Sequence, residues 1–134
     1  MKILKTLFAM AILLVSLTKA TAQTDDPLIG KWEVEYKEDN EKSYVIHEFR
    51  KEQGVLKCYT VFVKDDKGNG EEYESVAIKD ITFKGGSGTG TYMFTHEGEK
   101  YEFRARLKLK DHNTLTISYS AWGYVDSETW KRLK

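Results

Sequence analysis

The sequence predicts an all-β protein, an eight-stranded antiparallel up-and-down barrel, from three observations. Beyond residue 29, polar and apolar residues alternate with period two, which is the spacing of strands that bury one face. Gly, Asn and Asp recur about every ten residues and favour short hairpin connections between antiparallel neighbours. A sandwich would fit the same pattern, but closure into a barrel is favoured because it removes exposed sheet edges.

The clearest strand is 100–110, KYEFRARLKLK, in which apolar and charged residues alternate without exception. Residues 31–37 and 113–121 repeat this alternation. Five weaker strands complete the set, at 43–49, 55–63, 76–83, 89–96 and 127–133. Across 43–50 and 54–64 apolar residues occupy both parities, so the pattern leaves the buried face of these two strands open.

Residues 1–22 are predicted to be a cleaved secretory signal peptide. Two lysines precede a short apolar run at 7–17, and an Ala-x-Ala pattern ends at Ala22. The run is too short to span a bilayer comfortably, although an uncleaved anchor is the alternative. We therefore expect 23–134 to be a single domain, exported to the periplasm or outside the cell and without stable membrane insertion.

Charge and cysteine content narrow the class of protein. The leader contains three of the 21 basic residues and none of the 21 acidic ones, so the mature chain carries a small net negative charge. Neither this charge nor an exported location suits a nucleic-acid partner. The single cysteine, Cys58, cannot form an intrachain disulfide, so the core alone has to stabilise the domain.

Short motifs at both ends of the domain resemble the lipocalin pattern. Gly30, Lys31 and Trp32 open the first strand, and Trp130-Lys131-Arg132 closes the last one. In lipocalins the terminal arginine packs over the tryptophan at the closed end of the barrel. The resemblance thus implies a closed end built from Gly30, Trp32, Trp130 and Arg132, with the guanidinium within about 6 Å of the Trp32 ring.

The chain resembles more closely a family of small exported bacterial lipocalin-like proteins known only as a domain of unknown function. The shared motifs are KDDKG at 64–68, Gly-x-x-Tyr at 98–101, KDHNTL at 110–115 and Thr-Trp-x-Arg at 129–132. The chain departs from the family where the family has Asp-Pro before Gly98 and Arg-Gly-Tyr after Leu115. The resemblance implies a lipocalin-like fold and supplies no function.

Aromatic residues dominate the predicted open mouth. If Trp32 lies at the closed end, successive connectors alternate between the two mouths, and the inward residues near the open one are mostly tyrosines. The residues predicted to bind a ligand are Tyr36, Tyr44, Phe94, Tyr101, Tyr119 and Trp122, with Tyr124 beside them. Rings with hydroxyl groups form the apolar wall with a few polar contacts that is typical of small-molecule pockets.

The same alternation predicts which residues fill the closed end of the barrel, and the order of the connectors predicts where a ligand enters. The residues expected to plug the closed end are Phe83, Leu107, Leu109, Leu115 and Trp130. Segment 65–75 is predicted to be a long, flexible rim loop, and a ligand is expected to enter between it and the Trp122–Tyr124 turn.

Two segments and the three histidines suggest bound ions or phosphate, but none of them fits such a role. KDDKGNGEE at 64–72 begins like a calcium loop, but Val76 occupies the position that needs a bidentate glutamate. GGSGTG at 85–90 precedes a strand rather than a helix, which indicates a hairpin. The three histidines are predicted to lie too far apart for zinc and to be exposed, at His47, His96 and His112. We expect no metal and no cofactor.

No catalytic constellation is evident in the sequence. Cys58 lies mid-strand without a predictable histidine neighbour. Glu48 and Glu128 share a parity with apolar or aromatic residues, and could do acid–base work if both pointed inward. Partly exposed charges near strand ends are the simpler interpretation.

The sequence therefore predicts an exported binding protein for a small, largely apolar molecule, without catalysis. An eight-stranded barrel is just wide enough to be filled by side chains or to hold one small ligand. Two alternatives stay open: a filled barrel that acts as a structural or protein-interaction module, and a hydrolase-type enzyme that uses an inward carboxylate. The interior volume distinguishes the binding protein from the filled barrel.

Overall fold

The computed structural model describes residues 26–134, in which eight antiparallel strands close into a barrel. The strands are β1 (Gly30–Glu38), β2 (Glu41–Glu52), β3 (Val55–Asp65), β4 (Gly70–Lys84), β5 (Ser87–His96), β6 (Glu99–Asp111), β7 (Thr114–Ala121) and β8 (Tyr124–Arg132). Each strand pairs with the next and β8 pairs with β1, which confirms the predicted fold class. The predicted leader, 1–22, lies outside the described residues.

Most connectors are two-residue hairpin turns. Five of them hold both central residues at positive φ, the geometry that matches the twist of the flanking strands. In the β7–β8 turn these residues are Trp122, at φ 49°, and Gly123, at φ 82°. A large aromatic residue rarely adopts this conformation. The β1–β2, β3–β4, β5–β6 and β7–β8 turns lie at one end of the barrel, here called the open end.

The segment 65–75 is not the long loop that its composition predicts. β4 already begins at Gly70, so only four residues, 66–69, form the β3–β4 turn. The Asp65 carboxylate accepts hydrogen bonds from the backbone N–H groups of Lys67 and Asn69, both at 2.9 Å. Residues 70–75 then continue the hairpin as strand, because Asp65 closes the turn early.

The pairing register settles which faces of β2 and β3 point inward. Trp32 lies opposite His47, and Phe49 lies opposite Cys58, so these side chains share the interior. All four are buried, and burial raises the pKa of the Cys58 thiol. The pairing of β3 skips Val61, so its inward parity changes between Thr60 and Val63, and apolar residues therefore occupy both parities of that strand.

At the closed end, the Arg132 guanidinium lies 4.3 Å from the centroid of the Trp32 ring, as predicted. Arg132 also donates to three backbone carbonyls: those of His112 at 2.9 Å and Ile29 at 3.0 Å, and that of Pro27. The Trp32 indole donates to the Leu28 carbonyl at 2.9 Å. The segment before β1 is thereby held across the closed end.

Gly30 allows this closure. Its φ is 125°, and a Cβ at this position would lie 3.3 Å from Arg132 Nη1. A side chain would therefore be strained and would crowd the guanidinium. The residues predicted to plug this end lie in the core: Leu107, Leu115 and Trp130 are buried, while Phe83 and Leu109 are half-buried against them.

The barrel closes unevenly toward the open end. β1 pairs with β2 along its whole length, but it pairs with β8 only at Trp32–Arg132 and Glu33–Lys131. On the opposite side, the pairing of β4 with β5 ends at Ile78–Tyr92, although both strands continue toward the open end. We call these two gaps the β1–β8 seam and the β4–β5 seam. Between them the barrel consists of two four-stranded halves, β1–β4 and β5–β8.

Candidate ligand-binding site

Aromatic rings fill the open end on the side of β5, β6 and β7. The Phe94 ring lies 5.3 Å from Phe103 and 5.5 Å from Tyr119, between ring centroids. Trp122 lies edge-on to both Tyr101 and Phe103, at 5.3 Å from each. Four predicted site residues thus come together with Phe103, and they pack against one another as a cluster.

A buried carboxylate lies below these rings. Glu128 on β8 faces the interior and is 8% exposed. Its Oε1 accepts hydrogen bonds from the Tyr92 hydroxyl at 2.9 Å and the Trp130 indole at 3.0 Å, and its Oε2 accepts one from Tyr119 at 3.2 Å. Tyr36 adds a phenol from β1, close enough to Glu128 and Tyr92 for both to influence its pKa. We call Tyr36, Tyr92, Tyr119 and Glu128 the polar cluster.

The polar cluster holds its phenols in the protonated form. Burial, and then the negative charge of Glu128, raise the pKa of Tyr36, Tyr92 and Tyr119 above the ordinary value. Their hydroxyls therefore stay hydrogen-bond donors at neutral pH. Because an ionised carboxylate only accepts hydrogen bonds, the donors around Glu128 satisfy it without any outside partner.

The predicted alternative of two inward carboxylates is wrong. Glu48 lies on the outer face of β2, opposite Lys31. Its Oε1 is 2.7 Å from Arg50 Nε in a partly exposed ion pair. The reason is parity: Glu48 follows His47, whose ring points inward, so the glutamate points outward.

A cavity of about 470 Å3 lies at the β4–β5 seam. Its inner wall includes Tyr36, Val45, Tyr92 and Phe94, and the segment 75–77 of β4 forms one edge. Lys100 and Thr95 lie at the other edge, near the outside. The cavity therefore has an apolar and aromatic wall, with Tyr36 and Tyr92 of the polar cluster along one side.

His47 supplies a further polar group to this cavity. The side chain is 3% exposed, and its ring stacks on Trp130 at a centroid distance of 4.1 Å and an interplanar angle of 10°. Nδ1 lies 3.2 Å from the Thr60 hydroxyl, whereas no atom of the described residues hydrogen bonds to Nε2. Burial lowers the pKa of His47 to about 3, so the ring is neutral at physiological pH.

The expectation that all three histidines are exposed is wrong for His47. The other two, His96 and His112, lie on the surface. His47 shares its parity with Phe49, and this alternation was the signal in the sequence that indicated an inward ring. Tyr44 and Ile46, on the opposite parity, obscured this signal because they place apolar side chains on the outer face of β2.

A second cavity, of about 520 Å3, lies at the β1–β8 seam. It is lined by Val34, Tyr36, Tyr119 and Glu128 from inside, together with Asp126 and other residues at the seam. Tyr36 borders both cavities. The polar cluster accordingly separates two lateral openings of the barrel.

The structure divides the predicted binding residues into three groups. Tyr36 and Phe94 line the β4–β5 cavity, and Tyr119 lines the β1–β8 cavity. Tyr101 and Trp122 belong to the aromatic cluster. The inward placement of Tyr44 is wrong: it pairs with Glu35 on the outer face, with its hydroxyl 3.5 Å from the Glu35 carboxylate, and it borders the β1–β8 cavity from there.

Two residues of the site were not predicted, His47 and Tyr92. Tyr92 shares its parity with Phe94, so the alternation of β5 could have identified it. Its hydrogen bond to Glu128 could not be predicted in this way, because it joins residues that are 36 positions apart.

Within residues 26–134, no group of three or more His, Cys, Asp or Glu side chains is arranged to hold a metal ion. The same part of the chain contains no helix with the length and hydrophobicity that a membrane span needs. Comparison of the chain with protein-family models, curated proteins and solved structures gives no match.

Proposed function

We propose that this protein binds a small, largely apolar molecule in the cavity at the β4–β5 seam. The observation that supports this function is the cavity itself, about 470 Å3 in volume. Its size falls in the range of small-molecule sites, which typically combine an apolar wall with a few convergent polar groups. His47, Tyr36 and Tyr92 supply these groups, while Val45, Ala77 and Phe94 supply the wall.

Access through the seam fits this cavity better than access through the mouth. The mouth side of β5–β7 is occupied by Trp122 packed on Tyr101 and Phe103. At the seam, in contrast, β4 and β5 lack strand pairing beyond Ile78–Tyr92. A ligand at the seam passes between two strand edges and displaces no aromatic ring.

The test is the binding of N-phenylnaphthylamine, a neutral apolar probe whose fluorescence rises in an apolar site. The matched variants are Val45→Phe and Ile46→Phe. Val45 borders the cavity, whereas its neighbour Ile46 pairs with Glu33 on the outer face. We expect Val45→Phe to weaken probe binding at least about tenfold, because an added ring occupies the cavity, and Ile46→Phe to leave it unchanged.

Two further variants separate this cavity from the one at the β1–β8 seam. Phe94→Ala should change probe affinity, because Phe94 borders the cavity. Tyr119→Ala should change probe affinity less, since Tyr119 lines the cavity at the β1–β8 seam. A probe that fails to bind above background, or that binds Val45→Phe as well as wild type, would refute a binding function at this site.

A protein-interaction module is the second candidate, and an exposed patch favours it. Trp122, Tyr124 and Val125 are 65%, 78% and 82% exposed and adjoin one another at the β7–β8 turn. Exposed apolar groups of this kind often mark contact surfaces. If the patch mediates self-association, Tyr124→Ser with Val125→Ser will reduce the sedimentation coefficient at high protein concentration. An unchanged value removes self-association as the role of the patch.

The hydrolase-type alternative has no comparable support. It requires an inward carboxylate that is available to a substrate, and Glu128 is the buried inward carboxylate of the described residues. Its two oxygens already accept hydrogen bonds from three side chains, Tyr92, Tyr119 and Trp130.

A further inference from the structure

We propose that the cavity at the β4–β5 seam selects a neutral ligand with a hydrogen-bond donor, an N–H or O–H group on a planar apolar body, and that His47 Nε2 accepts this hydrogen bond. The proposal rests on the binding function proposed above and specifies the chemical class of the ligand.

The first argument is the unsatisfied acceptor. His47 borders the cavity, its Nε2 atom is buried, and no atom of the described residues hydrogen bonds to Nε2. Buried polar side-chain atoms in proteins nearly always have a partner, which is a protein atom, an ordered water or a ligand. Since the His47 ring borders the cavity, we infer that a bound molecule supplies this partner.

The second argument is the state of the ring. The Thr60 hydroxyl lies 3.2 Å from Nδ1 and can accept a hydrogen bond from it. In a neutral imidazole, a proton that Nδ1 donates leaves a lone pair on Nε2. The stack on Trp130, at 4.1 Å, fixes the direction in which this lone pair points.

The third argument concerns charge. The buried Glu128 carboxylate lies on the other side of Tyr92, which borders the cavity, and it disfavours an anionic ligand there. It does not offer a site to a cation either, because its oxygens accept hydrogen bonds from Tyr92, Tyr119 and Trp130. Lys100 lies at the outer edge of the cavity and is exposed. The interior thus favours a ligand without charge.

The fourth argument is the shape of the wall. Val45, Ala77 and Phe94 give the cavity wall apolar and aromatic surfaces beside the polar side chains of Thr60 and Ser75. A flat aromatic body can pack against these surfaces while its edge points to Nε2, and N–H and O–H groups lie at the edge of a ring. An aliphatic chain would fill the volume without using the acceptor.

The experiment compares indole with N-methylindole by calorimetric titration. The two probes have the same ring system, and only indole carries the N–H donor. We expect wild type to bind indole about fivefold to tenfold more tightly, the ratio that one neutral hydrogen bond typically gives. His47→Phe keeps a ring against Trp130 but removes the acceptor, and we expect it to bind both probes equally.

A second measurement does not depend on the folding of the variant. Nitrogen NMR of wild-type protein with isotope-labelled histidine reports Nε2 directly. We expect the Nε2 resonance of His47 to move on addition of indole and to stay in place on addition of N-methylindole, while the resonances of His96 and His112 serve as internal controls.

The outcomes separate this inference from the proposed function. If wild type binds both probes with equal affinity, or if His47→Phe keeps the preference for indole, the role of His47 is refuted while apolar binding stands. If neither indole nor N-methylindole binds, and N-phenylnaphthylamine also fails to bind, both the proposed function and this inference are refuted.

Discussion

Glu128 is the residue on which most interior hydrogen bonds converge. Three donors reach it from β5, β7 and β8, namely Tyr92, Tyr119 and Trp130. Each donor is buried, so each would lose its partner if the carboxylate were removed. This arrangement connects the half of the barrel made by β5–β8 from within.

We predict that Glu128→Ala is more destabilising than Glu128→Gln. The alanine leaves buried donors without an acceptor and should lower the free energy of unfolding by about 3 kcal/mol. The glutamine keeps one carbonyl oxygen, so the loss should be about half as large. Urea unfolding followed by tryptophan emission measures both values. Equal losses would show that the hydrogen bonds to Glu128 contribute little.

We predict that His47 makes folding sensitive to acid. Its pKa in the folded protein is about 3, against an ordinary value of 6.5. The unfolded chain therefore binds a proton below about pH 6.5 that the folded chain does not accept until near pH 3. The free energy of unfolding therefore has its full value above about pH 6.5. Between this pH and about pH 3 it falls by about 1.4 kcal/mol for each unit by which the pH is lowered.

His47→Phe is the control for this acid sensitivity. It removes the titrating group and keeps an aromatic ring against Trp130. The difference in unfolding free energy between wild type and variant should change with pH across the window and be constant above it. A constant difference throughout would mean that the folded protein accepts the proton readily.

We predict that Arg132→Ala lowers the free energy of unfolding by about 2 kcal/mol, because it removes a cation–π contact and three hydrogen bonds to backbone carbonyls at a partly exposed site. Arg132→Lys keeps the charge but not the planar fork of donors, so it should recover less than half of this loss. Thermal unfolding measures both variants. Full recovery by lysine would assign the effect to charge alone.

At the scale of elements, the two seams distinguish this barrel from a uniformly closed one. β1 beyond Glu33 pairs with β2 but not with β8, and β5 beyond Tyr92 pairs with β6 but not with β4. Successive backbone groups of a strand point to opposite neighbours. Along each seam, alternate N–H groups therefore have no strand partner.

Hydrogen exchange tests the seams. We expect protection to alternate along residues 34–37 of β1 and 93–96 of β5, with every second amide exchanging rapidly. The matched control is β2, which has a strand partner on both sides over most of its length. Uniformly slow exchange along the two seams would show that the barrel is closed in solution.

At the scale of the whole molecule, the cavity couples binding to stability. A ligand that binds only the folded protein stabilises it by about 2.7 kcal/mol at a free concentration one hundred times its Kd. For a domain of this size, we expect the melting temperature to rise by about 10 °C in saturating indole. The Val45→Phe variant should show little increase. An equal increase in both proteins would place the ligand outside the cavity.

Much of the fold could be predicted because its determinants are local. The alternation of β6 and β7, the turn glycines and the Trp32–Arg132 pair each depend on residue type at short spacing. Tyr36 and Phe94 were assigned to the interior on the same basis, and they border the cavity. Tyr44 was assigned wrongly because β2 carries apolar residues on both faces.

The sequence by itself determined the number of strands, their order and the end that is closed, because alternation, turn residues and the Gly-x-Trp and Trp-x-Arg motifs all act over a few positions. Only the tertiary structure decided where pairing stops, which faces β2 and β3 bury, and that Tyr92, Glu128 and His47 meet in one interior. These features join strands that are distant in the chain: the hydrogen bond from Tyr92 to Glu128 spans 36 positions, and the β1–β8 seam joins the two ends of the domain. The physical reason is that register along a seam depends on how all eight strands twist and pack together, which no short segment encodes.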